Sequence, residues 1–177
     1  MKKIFLLPIL LKFTALAQIS NPGFEQKRDS IPSLPANWRA NLKPHFNWQI
    51  DTTVFYSGKQ SLLMNNDSNT DSMVFSPFSQ ICSIEIDKAK KIELTAYIKT
   101  KNVTKNVGLW CQLWNKDNKQ IGFSSLETQQ VLIKGTTNWT KYTVTLLVNT
   151  DVKKLLLGGF LKGSGQVWYD DFNIEEV

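Results

Sequence analysis

The 177-residue chain is 42% hydrophobic and 20% charged, with a formal charge of +6. These values fit one globular domain with a sizeable core and exclude a disordered or fibrous chain. A single histidine, His45, excludes a multi-histidine metal centre.

The chain begins with Met1-Lys2-Lys3, an apolar run from Ile4 to Leu11, Lys12, and the small-residue exit Ala15-Leu16-Ala17. This layout predicts a secretory signal over residues 1–17, with an apolar run too short to span a bilayer as a helix. No cysteine follows it, so the expected product is not lipid-anchored. Residues 18–177 are expected to form a soluble domain that is secreted, periplasmic or on the cell surface. Removing three lysines takes the formal charge from +6 to +3. The remaining Lys and Arg are scattered, so neither nucleic acid nor an acidic membrane is an expected partner.

Short segments rich in Val, Ile, Thr and aromatics, separated by Gly, Asn, Asp, Ser and Pro, then predict an antiparallel all-β domain. Weaker strands are expected near Phe46–Ile50, Gln60–Met64 and Gln80–Ile86, with a polar loop over Asn65–Ser72. The clearest strand is Lys91–Lys99, where Ile92, Leu94, Ala96 and Ile98 share one side and Glu93, Thr95, Tyr97 and Lys99 the other. In Val107–Trp114 the inward set is Val107, Leu109, Cys111 and Leu113; Gly108, Trp110, Gln112 and Trp114 face away. Further strands are expected at Gln129–Ile133, Lys141–Val148, Lys154–Phe160 and Val167–Ile174, with turns at Ser57-Gly58, Asp117-Asn118, Gly135-Thr136 and Gly163-Ser164-Gly165. About nine strands suit two packed antiparallel sheets, a sandwich or jelly roll. Cys82 and Cys111 both carry inward parity. Export permits a disulfide between them, and two buried thiols are the other reading.

Several segments in order resemble galactose-binding-like jelly-roll carbohydrate-binding modules of families 4, 9 and 22. They are Asn21-Pro22-Gly23-Phe24-Glu25, Asn37-Trp38, Tyr56-Ser57-Gly58-Lys59-Gln60-Ser61, Ala96-Tyr97-Ile98-Lys99-Thr100, Gly135-Thr136 with Trp139, and Val167-Trp168-Tyr169-Asp170-Asp171-Phe172. The resemblance implies a jelly-roll sandwich and a structural Ca²⁺ where the first strand, the Ser-Gly-Lys turn and the last strand meet. Its implied ligands are the carbonyls of Gly23 and Lys59, the Glu25 side chain and one of Asp170 or Asp171, since Ca²⁺ takes six to eight oxygens. Some members carry a further acidic ligand just before the turn, where this chain has Tyr56. Strand parity groups Asp170 with Trp168, Phe172 and Ile174, an inward carboxylate in need of a partner.

With Leu109, Cys111 and Leu113 inside, Trp110, Gln112 and Trp114 stand on an outer face. Indole stacks on the apolar faces of sugar rings, and amide or amine neighbours bind the hydroxyls. Tyr97 and Lys99 join this face if the two strands pair. The competing readings are a loop covering these tryptophans, or inverted parity. Trp38, Trp48, Trp139 and Trp168 are assigned to structure.

Enzymatic chemistry finds little support. There is no Gly-x-Ser-x-Gly elbow, and Asp170 and Asp171, adjacent on a strand, are expected on opposite faces rather than across a cleft. The leading expectation is therefore a secreted, monomeric, non-catalytic glycan-binding module. The alternative is a structural or interaction domain of the same fold that serves a secreted hydrolase, a peptidase or an esterase, as attached domain or partner protein.

Overall fold

The computed structural model describes residues 17–68 and 73–177. The expected signal therefore lies almost entirely outside the described residues, as does the second half of the 65–72 segment. The strands are Lys27–Arg28 (β1), Ile31–Pro35 (β2), Arg39–Ala40 (β3), Phe46–Asp51 (β4), Ser61–Asn66 (β5), Phe75–Ser83 (β6), Lys90–Trp114 (β7), Gln120–Ser125 (β8), Ile133–Val148 (β9), Lys154–Lys162 (β10) and Gly165–Glu176 (β11). No helix occurs among the described residues.

The 25-residue β7 organises the sandwich. Its first half pairs β9 on one side and β11 on the other, and β11 continues to β5 and β4. Its second half pairs β8 and β10, and β10 continues to β6 and β3. One strand thus passes from the first layer, β9-β7-β11-β5-β4, into the second, β8-β7-β10-β6-β3. The passage falls at Asn102, whose φ of 55° interrupts the extended run. Inward parity changes there. Ile92, Leu94, Ala96 and Ile98 are buried before it; Val103, Val107, Leu109, Cys111 and Leu113 are buried after it.

These residues share one core with Leu155, Leu157 and Leu161 of β10 and with Val144, Leu146 and Val148 of β9. Tyr169 of β11 links the layers. Its buried hydroxyl lies 2.8 Å from the carbonyl oxygens of Gly108 and Phe160 and accepts the Phe160 N–H at 3.1 Å.

Three local expectations are corrected. Gln129–Ile133 is a turn leading into β9, stabilised by the reciprocal Ser125–Thr128 hydrogen bonds. The unpredicted strand β8 precedes it; Gly122 and two serines gave β8 little periodic signal. Gly135-Thr136 is a kink within β9, with φ of 77° at Gly135, rather than a turn between strands.

The cysteines are free and buried. Cys82 pairs in register with Leu155, and Leu155 with Leu113, so β10 lies between the two thiol-bearing strands. Two ladder steps of about 4.8 Å exceed the reach of a disulfide.

Candidate functional site

The Asn-Pro-Gly-Phe-Glu opening folds into a cap over the end of the core. Asn21, with φ of 53°, donates its amide to the carbonyls of Gln26 and Ala36 and accepts the Gln26 N–H. Its backbone carbonyl receives the Trp38 indole N–H at 3.0 Å. Phe24, Trp38, Phe78 and Phe172 then pack as an aromatic cluster, with ring centroids 4.9–6.2 Å apart. The Phe172 N–H donates to the Pro22 carbonyl, so the first and last segments are joined directly.

The five residues of the implied calcium site meet at this junction. Inward parity for Asp170 is corrected: Val167 and Tyr169 point into the core, and Asp170 lies with Trp168 on the other side of β11. It is nevertheless fully buried, because the 52–60 loop closes over it. Asp170 Oδ2 accepts the amides of Tyr56 at 2.9 Å and Ser57 at 3.2 Å, and Oδ1 accepts that of Asp171. Burial pushes the Asp170 carboxyl up to about 6; the Ser57 and Tyr56 amides oppose the shift and the neighbouring Asp171 charge adds to it.

The opposite-face expectation for Asp170 and Asp171 is also corrected. A bulge at Asp171, with φ of 48°, turns both carboxylates toward Gly23, where a Cβ would lie 3.1 Å from Asp171 Oδ1 and 3.4 Å from Asp170 Oδ1. Glu25 instead holds the turn, accepting the Lys59 and Gln60 amides on Oε1. The donors thus gather as expected, but several of their oxygens are already engaged by N–H or O–H groups. Among the described residues no three His, Cys, Asp or Glu side chains form a group suited to a metal ion. The fit to Ca²⁺ is therefore two adjacent carboxylates with nearby turn oxygens, short of a carboxylate cage.

Trp110, Gln112 and Trp114 do stand together on the outer face of the second layer, all half-buried. Trp110 lies opposite Gly158 in register, and its indole N–H donates to the Gly159 carbonyl at 3.3 Å. Trp114 donates its indole N–H to Gln112 Oε1 at 3.1 Å, which leaves the Gln112 amide hydrogens for another acceptor. Phe75 and Phe123, each 50% exposed, and Ile81, 67% exposed, extend the surface. A groove of about 390 Å³ runs past Trp110, Gln112, Phe75, Phe123 and Phe160. A second recess lies between Trp114, Ile81 and Leu156. A third, of about 1060 Å³, lies between Ile81, Leu156, Arg28 and Arg39. Leu109, Cys111 and Leu113 are buried on the opposite side, so the parity is not inverted, and among the described residues no loop buries these tryptophans fully.

Tyr97 and Lys99 are not on this face. The two halves of β7 lie in opposite layers and do not pair, so Tyr97 and Lys99 project from the first layer, as does Thr95. Tyr97 stacks on Tyr56 with centroids 3.6 Å apart, and Lys99 donates to Asn138 Oδ1. Trp139 packs edge-on to Tyr56, while Trp168 donates its indole N–H to Asp51 Oδ2. Phe75, Phe123 and Ile81 were missed because no alternation linked them to the Trp110 strand; only the strand order places them beside it.

The strand order is that of a galactose-binding-like jelly-roll β-sandwich, a fold that solved carbohydrate-binding modules share. Solved structures share this fold at low identity. The CBM22-1 xylan-binding domain of Paenibacillus barcinonensis Xyn10C is 14% identical, with 88% of this chain and 91% of that one covered and a TM-score of 0.52. TmCBM61 in complex with β-1,4-galactotriose is 11% identical, with 90% and 97% covered and a TM-score of 0.53. The enzymatically active domain of tailspike protein 4 from bacteriophage CBA120 is 10% identical, covers 92% of this chain and 22% of its own, and has a TM-score of 0.66. In sequence the chain is 30% identical over 132 residues to an uncharacterised HTH-type transcriptional regulator, YbfP, of Bacillus subtilis (strain 168). The match takes in 75% of this chain and 44% of the regulator, so the chain spans less than half the length of that curated relative. No protein-family model matches.

Proposed function

We propose that this chain is an exported, non-catalytic glycan-binding module that takes its ligand on the outer face of the second layer. The observation that carries the reading is the row Trp110, Gln112 and Trp114 beside half-exposed Phe75 and Phe123. Exposed aromatics on a rigid sheet cost solubility and add nothing to the core, which is already filled by the opposite parity. Indole faces stack on sugar C–H faces, and the free amide hydrogens of Gln112 suit a hydroxyl. The fold neighbours include a xylan-binding domain and a module bound to a galactotriose, which supports the same reading.

A Ca²⁺ ion at the Gly23 junction belongs to this proposal. Asp170 and Asp171 would supply carboxylate oxygens, with Glu25 and the carbonyls of Gly23 and Lys59 completing the donors. The support is a fully buried carboxylate that makes no salt bridge with a described residue. Bound there, the ion would neutralise Asp170 and hold the first and last segments together.

The test is retention of residues 18–177 in native gels containing xylan, galactan or other polysaccharides. Retention by at least one, lost by ten-fold or more in Trp110→Ala and Trp114→Ala at unchanged melting temperature, supports the reading; stacking contacts of about 1–2 kcal/mol give that scale. No retention by any glycan overturns it in favour of the protein-interaction domain.

A further inference from the structure

The charges on the two outer faces are arranged differently. Every strand acid of the sandwich lies in the first layer: Asp51, Glu93, Asp170, Asp171, Glu175 and Glu176. There they meet cations, with Lys90 to Glu176 at 3.0 Å, Lys91 to Glu93 at 3.8 Å and Lys141 to Glu175 at 3.9 Å. The strands of the second layer carry no Asp or Glu at all: β3, β6, the second half of β7, β8 and β10 supply Arg39, Lys105, Lys154 and Lys162 as their charged residues.

Arg39, Lys154 and Lys162, with Arg28 from β1, line the three recesses of the aromatic face. Arg28 spends one N–H on the Trp38 carbonyl, and Lys154 spends one on Asn118 Oδ1. Among the described residues none of the four is within salt-bridge distance of a carboxylate. The one acid lining the recesses is Glu127, and its Oε1 accepts the Asn106 amide at 2.8 Å. From β3 to β8 the face crosses four ladder steps, about 19 Å, with the Arg39 guanidinium on the β3 edge and the Lys154 and Lys162 ammonium groups at the two ends of the central β10.

Resting on the glycan-binding reading, we infer that the ligand is an acidic polysaccharide whose sugar rings carry carboxylates. The aromatic row takes the ring faces; Arg39, Arg28, Lys154 and Lys162 take the carboxylates. A neutral glycan can use cations beside a stacking surface only as hydrogen-bond donors to its hydroxyls, whereas guanidinium forks a carboxylate in two parallel, charge-assisted hydrogen bonds. An acidic peptide or nucleic acid would satisfy the charges but leave the sugar-stacking geometry without a role.

The test uses residues 18–177 in affinity gels and calorimetry against polygalacturonate, alginate and glucuronoxylan, each beside its carboxyl-reduced counterpart. The expected result is binding of at least one acidic polymer, weakened by rising salt and weaker by about ten-fold for its reduced form. Arg39→Gln with Lys162→Gln should remove that preference, bringing the affinity for the acidic polymer to within about two-fold of that for its reduced form. Equal affinity for acidic and reduced forms overturns the acidic ligand and leaves the glycan reading standing. Loss of binding to all glycans overturns both. Equal retention by polyglutamate or double-stranded DNA, insensitive to Trp110→Ala, also overturns it by showing charge alone at work.

Discussion

Tyr169 shows how much one hydroxyl can do inside a sandwich. It stands on the first layer and reaches two carbonyls and one amide of the second, in a fully buried setting. Removing that oxygen leaves the Phe160 N–H without this acceptor. Tyr169→Phe should therefore cost about 1–3 kcal/mol in urea unfolding, with glycan retention of the folded protein unchanged. A loss under about 0.5 kcal/mol would mean the layers are held by packing alone. Its inward parity beside Val167 is not apparent from alternation, because Trp168 and Phe172 look equally suited to a core. The bulge after Asp170 breaks the pattern that a reader of spacing would extend.

Among the elements, β7 carries both the correct and the incorrect expectations. Each half alternates cleanly, so its inward faces were legible; the connection between the halves was not. Asn102 adopts the left-handed conformation, donates its N–H to Thr136 Oγ1 at 3.0 Å, and sends the chain into the other layer instead of into a hairpin. Asparagine tolerates that region and a β-branched residue does not. Asn102→Gly should melt within about 2 °C of the parent, while Asn102→Val should lose about 1–2 kcal/mol, as thermal denaturation will record. The same crossing separates Tyr97 and Lys99 from Trp110 and Trp114. Equal losses for both substitutions would place the cost in the side-chain contacts of Asn102 rather than in its backbone.

For the whole molecule, the junction of first and last segments sets the response to pH and cations. Asp170 has a folded-state pKa of about 6, raised from 3.8. Its protonated form is favoured in the folded state, so its stabilising contribution is complete below about 3.8 and is lost as pH rises through about 6. In chelator-treated protein, the melting temperature of the parent relative to Asp170→Asn should fall between pH 5 and pH 7.5. A flat difference would show that Asp170 does not titrate in this range. Millimolar Ca²⁺ should raise the melting temperature of the parent at pH 7.5 and leave Asp170→Asn unmoved; no response of the parent to Ca²⁺ removes the proposed ion.

Alternating apolar residues, punctuated by turn formers, were enough to read the all-β class, the inward faces of β7 and the outward row of Trp110, Gln112 and Trp114. Those properties depend on neighbours two residues apart, and the pleat imposes them locally. The motif residues from Asn21 to Phe172 likewise marked which segments would meet. Strand order, bulges and layer assignment depend on contacts scores of residues apart, and no local period encodes them. For that reason Phe75, Ile81 and Phe123 join the tryptophans only in the folded chain. Arg28, Arg39, Lys154 and Lys162, scattered in sequence, likewise come to line a single face once β10 is laid between β6 and β7.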